Sequence, residues 1–194
     1  MIVSVRPRAS RSFSKLPYMK HVMIDTETLG TFADSVILSI GAVKFDLDSD
    51  QLDSEAFYAS ISIDSNTVLG RGVTGSTIAW WMEQSREAQA VFREPKQPLE
   101  DALRSLTDWL GHNKRCAWSN GADFDLPMLA MAYKSIGMEA PWEFWNSRCV
   151  RTYKSLAQVE RSFRSIRTRD LKVRPIHHHL ENRVRAHIFL CMLA

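Results

Sequence analysis

Asp25 and Glu27 stand two residues apart, directly after the apolar run His21-Val22-Met23-Ile24 and just before Leu29-Gly30. If that run is a strand, its period of two points both carboxylates to one side at the strand's end. Such oxygens suit hard divalent ions, and two ions roughly 3.5–4 Å apart need carboxylates from different parts of the chain. One pair does not suffice, since Asp46-Leu47-Asp48 repeats the spacing on a polar turn. A second source is Asn120-Gly121-Ala122-Asp123-Phe124-Asp125, which follows another short apolar run and opens a helical pattern. Asp125 takes the helix start and is preferred as a ligand over Asp123, which suits a turn or N-cap; capping alone would account for both. The third source is His177-His178-His179-Leu180-Glu181-Asn182. A histidine with a near-neutral pKa can accept the proton of an attacking water, although three in a row also suit an exposed turn or a weak transition-metal site.

These groups need elements to position them. His21–Ile24 reads as a central strand and Ser35–Phe45, rich in β-branched residues, as a second. After a polar turn over Asp46–Asp53, the alternation of Glu55–Ser62 predicts a third strand in an antiparallel meander. Thr77 can cap a helix carrying Ile78, Trp81, Met82, Ala88 and Phe92, and Pro98 precedes a helix with Ala102, Leu103, Leu106, Trp109 and Leu110 on one face. Cys116–Ser119 is a short fourth strand. Pro127 sits in the first turn of the next helix, whose face of Leu129, Ala132, Tyr133 and Ile136 stops at Gly137. A last helix is expected over about His178 to Leu193. The order implies an α/β fold, a mixed sheet covered by helices in a single domain over 19–194, with an Arg- and Ser-rich leader over 1–18.

With 194 residues, 45% hydrophobic and 24% charged, the chain can bury one ordinary core. Its three cysteines, Cys116, Cys149 and Cys191, are too scattered for a disulfide framework or a zinc knuckle and fit a reducing, cytoplasmic setting. No apolar run reaches the roughly 18–20 residues of a membrane span. The formal charge of +3 hides three blocks: +5 over residues 1–20, −10 over 21–147 and +8 over 148–194. An acidic body that meets a polyanion needs metal to neutralise its carboxylates and a basic segment to hold phosphates. The same bias also suits a plain solvated face.

Taken together, the blocks at Asp25, Asn120–Asp125 and His177 resemble the DEDD superfamily of 3′-5′ exonucleases, in its histidine-bearing (DEDDh, RNase T-like) branch. The runs DTETLG (25–30), ILSIGAVKFD (37–46), TIAWWMEQSREAQAVF (77–92), NGADFDLPML (120–129) and PWEFWNSRCVRT (141–152) narrow the resemblance. They are similar to a bacterial and phage group that includes mycobacterial exoribonuclease-type proteins and prophage proteins of the exodeoxyribonuclease VIII type. The resemblance implies an RNase H-like fold, a mixed five-stranded sheet flanked by helices. It implies two ions, Mg²⁺ or Mn²⁺, held by Asp25, Glu27 and Asp125 with Asn182, and His177 as general base. Thr28 and Leu29 would meet the terminal base and sugar, while Arg148, Arg151 and Lys154 would track phosphates or simply form a solvated helix face. The partner is a nucleic acid, DNA or RNA, with a free 3′ end; a homodimer is compatible, a membrane is not. Trp80, Trp81, Trp142 and Trp145 could stack bases, but tryptophans at helical spacing usually belong to the core. One departure stands out: the family places Asp where Asn182 is, and a small residue where His179 is. This leaves open a rival reading as a weakened or inactive relative that binds nucleic acid.

Overall fold

The computed structural model describes residues 19–47, 51–112, 114–121 and 123–158. The leader and the block from His177 to Asn182 lie outside them. At the centre is β1 (His21–Thr28), antiparallel to β2 (Ile37–Asp46) on one side and parallel to β5 (Cys116–Ser119) on the other. β5 in turn pairs in parallel with β6 (Ser147–Cys149). The outer edge of β2 carries two antiparallel segments in succession, β3 (Gln51–Leu52) and β4 (Phe57–Ser60). Six segments therefore fill five positions, in the order β3/β4-β2-β1-β5-β6, and the expected mixed five-stranded sheet is present.

Four helices have described limits: α1 (Ile63–Val68), α2 (Gly75–Met82), α3 (Leu99–Leu110) and α4 (Asp125–Ser135). Residues 150–158 are also helical and are labelled α5. β1 is apolar on both faces because both are covered. Val22 and Ile24 pack with Leu99, Leu103 and Leu106 of α3 and Leu126, Leu129 and Tyr133 of α4. Met23, on the other face, packs with Phe45, Trp118 and Val150. Burying each large aliphatic chain contributes about 1.5–3 kcal/mol, so α3 and α4 hold the strand ends firmly in place.

Three local features depart from the sequence pattern. The helix expected from Thr77 to Phe92 begins at Gly75 and ends at Met82, and Ala88–Phe92 forms a separate 3-10 turn. The Gln89 amide donates to the carbonyls of Trp81, Met82 and Gln84, supplying the orphan acceptors of the α2 terminus and closing the helix there. Within the stretch read as a turn, Gln51–Leu52 adds a short strand. Beyond the third strand, α1 exists because Asn66, fully buried, donates to and accepts from the Ile37 backbone as a strand partner would.

Candidate active site

Pairing between β1 and β5 stops at Met23 and Trp118. From there, among the described residues, no strand pairs with this β1 edge, and its amides need another acceptor. Asp125, in the first turn of α4, supplies it: its Oδ1 accepts from the Thr26 amide at 3.1 Å and from the Thr26 hydroxyl at 2.8 Å. The helix start suits a negative charge, and Asp125 is 4% exposed. Asp123, the competing acid of this loop, is exposed. Asp25 and Glu27 lie on the opposite face of β1 from Thr26, at the register positions of Gly41 and Ser39 on β2. Gly41 leaves open space beside Asp25, where a Cβ would touch nothing within 4 Å.

The β1–β2 pairing shifts register between Glu27 and Thr28: Glu27 faces Ser39 but Thr28 faces Ile37, so the extra residue, Leu38, lies on β2. Such a bulge re-aims the residues that follow it. The Trp81 indole N–H donates to the Thr28 carbonyl at 2.8 Å, and the Thr74 amide to the Leu29 carbonyl at 2.8 Å, tying the end of β1 to α2 and the residue before it. Gly30 completes the turn, because any Cβ there would lie 2.4 Å from the Ser35 hydroxyl. Arg71, buried, grips the same loop through the carbonyls of Ala33 and Ser35.

The three carboxylates share one electrostatic field. Burial, then the charges of Asp125 and Glu27, push the Asp25 carboxyl from its ordinary 3.8 up to about 6. Glu27 is raised by burial and by Asp125. Burial raises Asp125 as well, while the two Thr26 donors and the Arg151 charge pull it back. Buried, mutually repelling oxygen donors are the chemistry that a hard divalent ion relieves, so the donor types suit such an ion. The set is not a closed cage: among the described residues, no three His, Cys, Asp or Glu side chains are gathered closely enough to hold an ion. His177 and Asn182 lie outside the described residues.

Two clefts flank Glu27 and the bulge. One, of about 340 Å³, is lined by Glu27, Thr28, Ser76, Thr77, Trp80 and Phe124. The other, of about 400 Å³, is lined by Leu29, Ile78, Met82, Phe92 and Arg93 and is mostly apolar. Thr28 therefore borders the first cleft and Leu29 the second, although Leu29 also packs in a cluster with Val36, Leu38 and Trp81. Arg151 sits against Gly121, where a Cβ would lie 3.2 Å from its guanidinium, and its charge reaches Asp125. Arg148 lies in β6, not on the helix face with Arg151 and Lys154, because Ser147–Cys149 pair with β5, and its guanidinium donates to the carbonyls of Trp145 and Ser147. Trp80 is 52% exposed in the first cleft, whereas Trp81 and Trp142 are buried. Trp145 precedes β6 and thus stands at the opposite end of the parallel strands from the carboxylates.

A family described as the 3′-5′ exoribonuclease Rv2179c-like domain matches residues 20–183, from the strand that carries Asp25 to just beyond Asn182. The chain belongs to this family. It is accordingly a 3′-5′ exonuclease, a hydrolase whose substrate is nucleic acid. Exonucleases of this kind generally use divalent metal ions. The chain is 26% identical over 155 residues to the exodeoxyribonuclease of Enterobacteria phage T4, covering 67% of this chain and 68% of the phage protein. Among solved structures it is similar to the nuclease domain of 3′hExo, a DEDDh family member bound to rAMP, at 16% identity and a TM-score of 0.49, over 93% and 94% of the two chains. It is also similar to cell-death related nuclease 4 (CRN-4), at 14% identity and a TM-score of 0.38, over 56% of this chain; it spans 37% of that protein's length. Among the described residues of this exonuclease, no helix is long and apolar enough to cross a membrane.

The motifs do not single out Thr26, Trp81 or Arg71 as parts of the site. For Thr26 a signal exists: it continues the buried alternation of Val22 and Ile24 but is polar, and a polar residue there must have a partner. For Trp81 and Arg71, whose partners lie 53 and 36 residues away, sequence spacing carries no such signal.

Proposed function

We propose that this exonuclease is metal-dependent and removes nucleoside monophosphates one at a time from the free 3′ end of DNA or RNA, at a site of two divalent ions, Mg²⁺ or Mn²⁺. The observation that supports the reading is the pair of Thr26 hydrogen bonds that holds Asp125 beside the strand end carrying Asp25 and Glu27, where burial raises all three carboxylates and a cation would relieve that cost. Asp25, Glu27 and Asp125 would hold the ions, with a weaker contribution from the neutral Asn182. Ions bound there would supply positive charge that acidifies a water and steadies a leaving oxygen. In this reading the water oxygen attacks the terminal phosphorus in line, and His177 takes up its proton. The bond from phosphorus to the 3′ oxygen of the penultimate nucleotide breaks, which frees a nucleoside 5′-monophosphate and leaves a new 3′ hydroxyl. Thr28 and Leu29 position the terminal nucleotide from the two clefts. Arg151, held over Gly121 beside Asp125, meets a phosphate, and Arg148 a phosphate further upstream. A cytoplasmic setting belongs to the same reading.

The test is release of mononucleotides from a 3′-labelled strand, with Mg²⁺ or Mn²⁺ and with a chelator. Chelator-resistant release would refute the metal requirement. Matched DNA and RNA strands in parallel decide the sugar preference, which rests on contacts to a single hydroxyl. The rival reading, an inactive binder, draws on Asn182 and the basic block over 148–194, and the family favours the enzyme.

A further inference from the structure

A carboxylate with two free oxygens can rotate, and can meet a cation through either oxygen or both. Asp125 has lost that freedom. Its Oδ1 accepts two buried donors, the amide and the hydroxyl of Thr26, and both come from one residue 99 positions away. That residue is the peptide between Asp25 and Glu27. A single side chain therefore joins the two separate sources of carboxylate, one on a strand and one at the start of a helix. The geometry points to Thr26 as a positioning residue: it fixes the Asp125 carboxylate relative to Asp25 and Glu27 and leaves one Asp125 oxygen to face a cation.

This inference rests on the proposed metal-dependent reading. A threonine suits the place for two reasons. Its β-branched stem belongs in a strand, and its hydroxyl lies on the buried face, in line with Val22 and Ile24. Valine has the same shape without the donor, so it separates hydrogen bonding from packing. Partners that orient metal-ligating carboxylates are worth about 10–100-fold in metal affinity or activity.

The experiment compares Thr26→Val and Thr26→Ser with the wild type in Mn²⁺ titration calorimetry and in steady-state kinetics on a single strand. The Val variant should bind Mn²⁺ about ten-fold or more weakly and lose a similar factor in kcat, with KM for the strand within about two-fold. The Ser variant should bind and turn over close to wild type. Thermal melting without metal checks that each variant folds; if the Val variant does not, Thr26→Ala against Thr26→Ser gives the same comparison. Unchanged Mn²⁺ affinity in the Val variant, or a Ser variant as weak as the Val one, overturns the inference. A wild type without Mn²⁺-dependent hydrolysis refutes the functional reading beneath it, and the inference with it.

Discussion

Replacing Asp25 with Asn should stabilise the metal-free protein and at the same time abolish its activity. Burial, with Asp125 and Glu27 nearby, raises the Asp25 carboxyl from 3.8 to about 6. That is about two decades of proton affinity at about 1.4 kcal/mol each, so the ionised form is roughly 3 kcal/mol less favourable in the folded chain than in the unfolded one. Asp25 keeps some contact with solvent and the new amide must still be desolvated, so about 1–2 kcal/mol of this is recovered. For a chain of this size the gain is a rise of about 3–6 °C in Tm at pH 7.5 without metal. The sign depends on pH. Because folding raises this carboxyl, the wild type bears the full penalty above about pH 6 and loses it as pH falls toward 3.8. The advantage of the Asn variant should therefore shrink between pH 6 and 4 and vanish near pH 4.

Saturating Mn²⁺ should reverse the ranking. Metal at 100 times its Kd stabilises a folded protein by about 2.7 kcal/mol, a gain open to the wild type and denied to a variant lacking the ligand. Differential scanning fluorimetry over a pH series, with Mn²⁺ and with chelator, measures both effects. A variant less stable than wild type at pH 7.5 without metal, or a gain that persists unchanged at pH 4, would refute the electrostatic reasoning. Equal Mn²⁺ stabilisation of both proteins would remove Asp25 from the ligand set.

Trp81→Phe keeps the ring but strips the donor from the Thr28 carbonyl; it should cost about 1–3 kcal/mol in urea melts and lower kcat by loosening the strand end after Glu27. His177→Ala should slow turnover by about 10²–10⁴ with little loss of strand affinity, and a larger loss in His178→Ala would move the general base one residue along. A terminal 3′ phosphate should block degradation while a 5′ phosphate should not; cleavage of a closed circle would contradict the polarity. Asn182→Asp should tighten Mn²⁺ binding and raise kcat, since a carboxylate brings a full charge where the amide brings a dipole. No change in either would displace Asn182 from the ligand position.

The strands were legible where periodicity is strong. Val22, Ile24 and Met23 bury both faces of β1, but the strand runs past the expected end at Ile24 to Thr28, because Asp25 to Thr28 keep pairing with β2. The course from Thr77 to Phe92 was harder, because its apolar residues keep helical spacing across a break. The break is made by the Gln89 side chain on the carbonyls of Trp81, Met82 and Gln84, a competition that a hydrophobic pattern does not record. α1 was hidden for a similar reason: Asn66 reads as a polar surface residue until its amide is found inside, on the backbone of Ile37.

The site shows the same division between what is local and what is tertiary. Two carboxylates on one face of a strand end, and a third at a helix start, follow from periods of 2.0 and 3.6. The distance between the two sources follows from neither. It is set where β5 stops pairing at Trp118 and leaves the Thr26 amide without a strand acceptor, a gap that Asp125 fills. Had β5 paired two residues further, that amide would have faced a strand backbone and α4 would have had no reason to present an acid there. The short β5 is thus part of the chemistry, because ending the ladder early exchanges a neutral carbonyl acceptor for a charged one. That charge is costly to bury and in turn raises the neighbouring Asp25 and Glu27, a cost that a bound cation would remove.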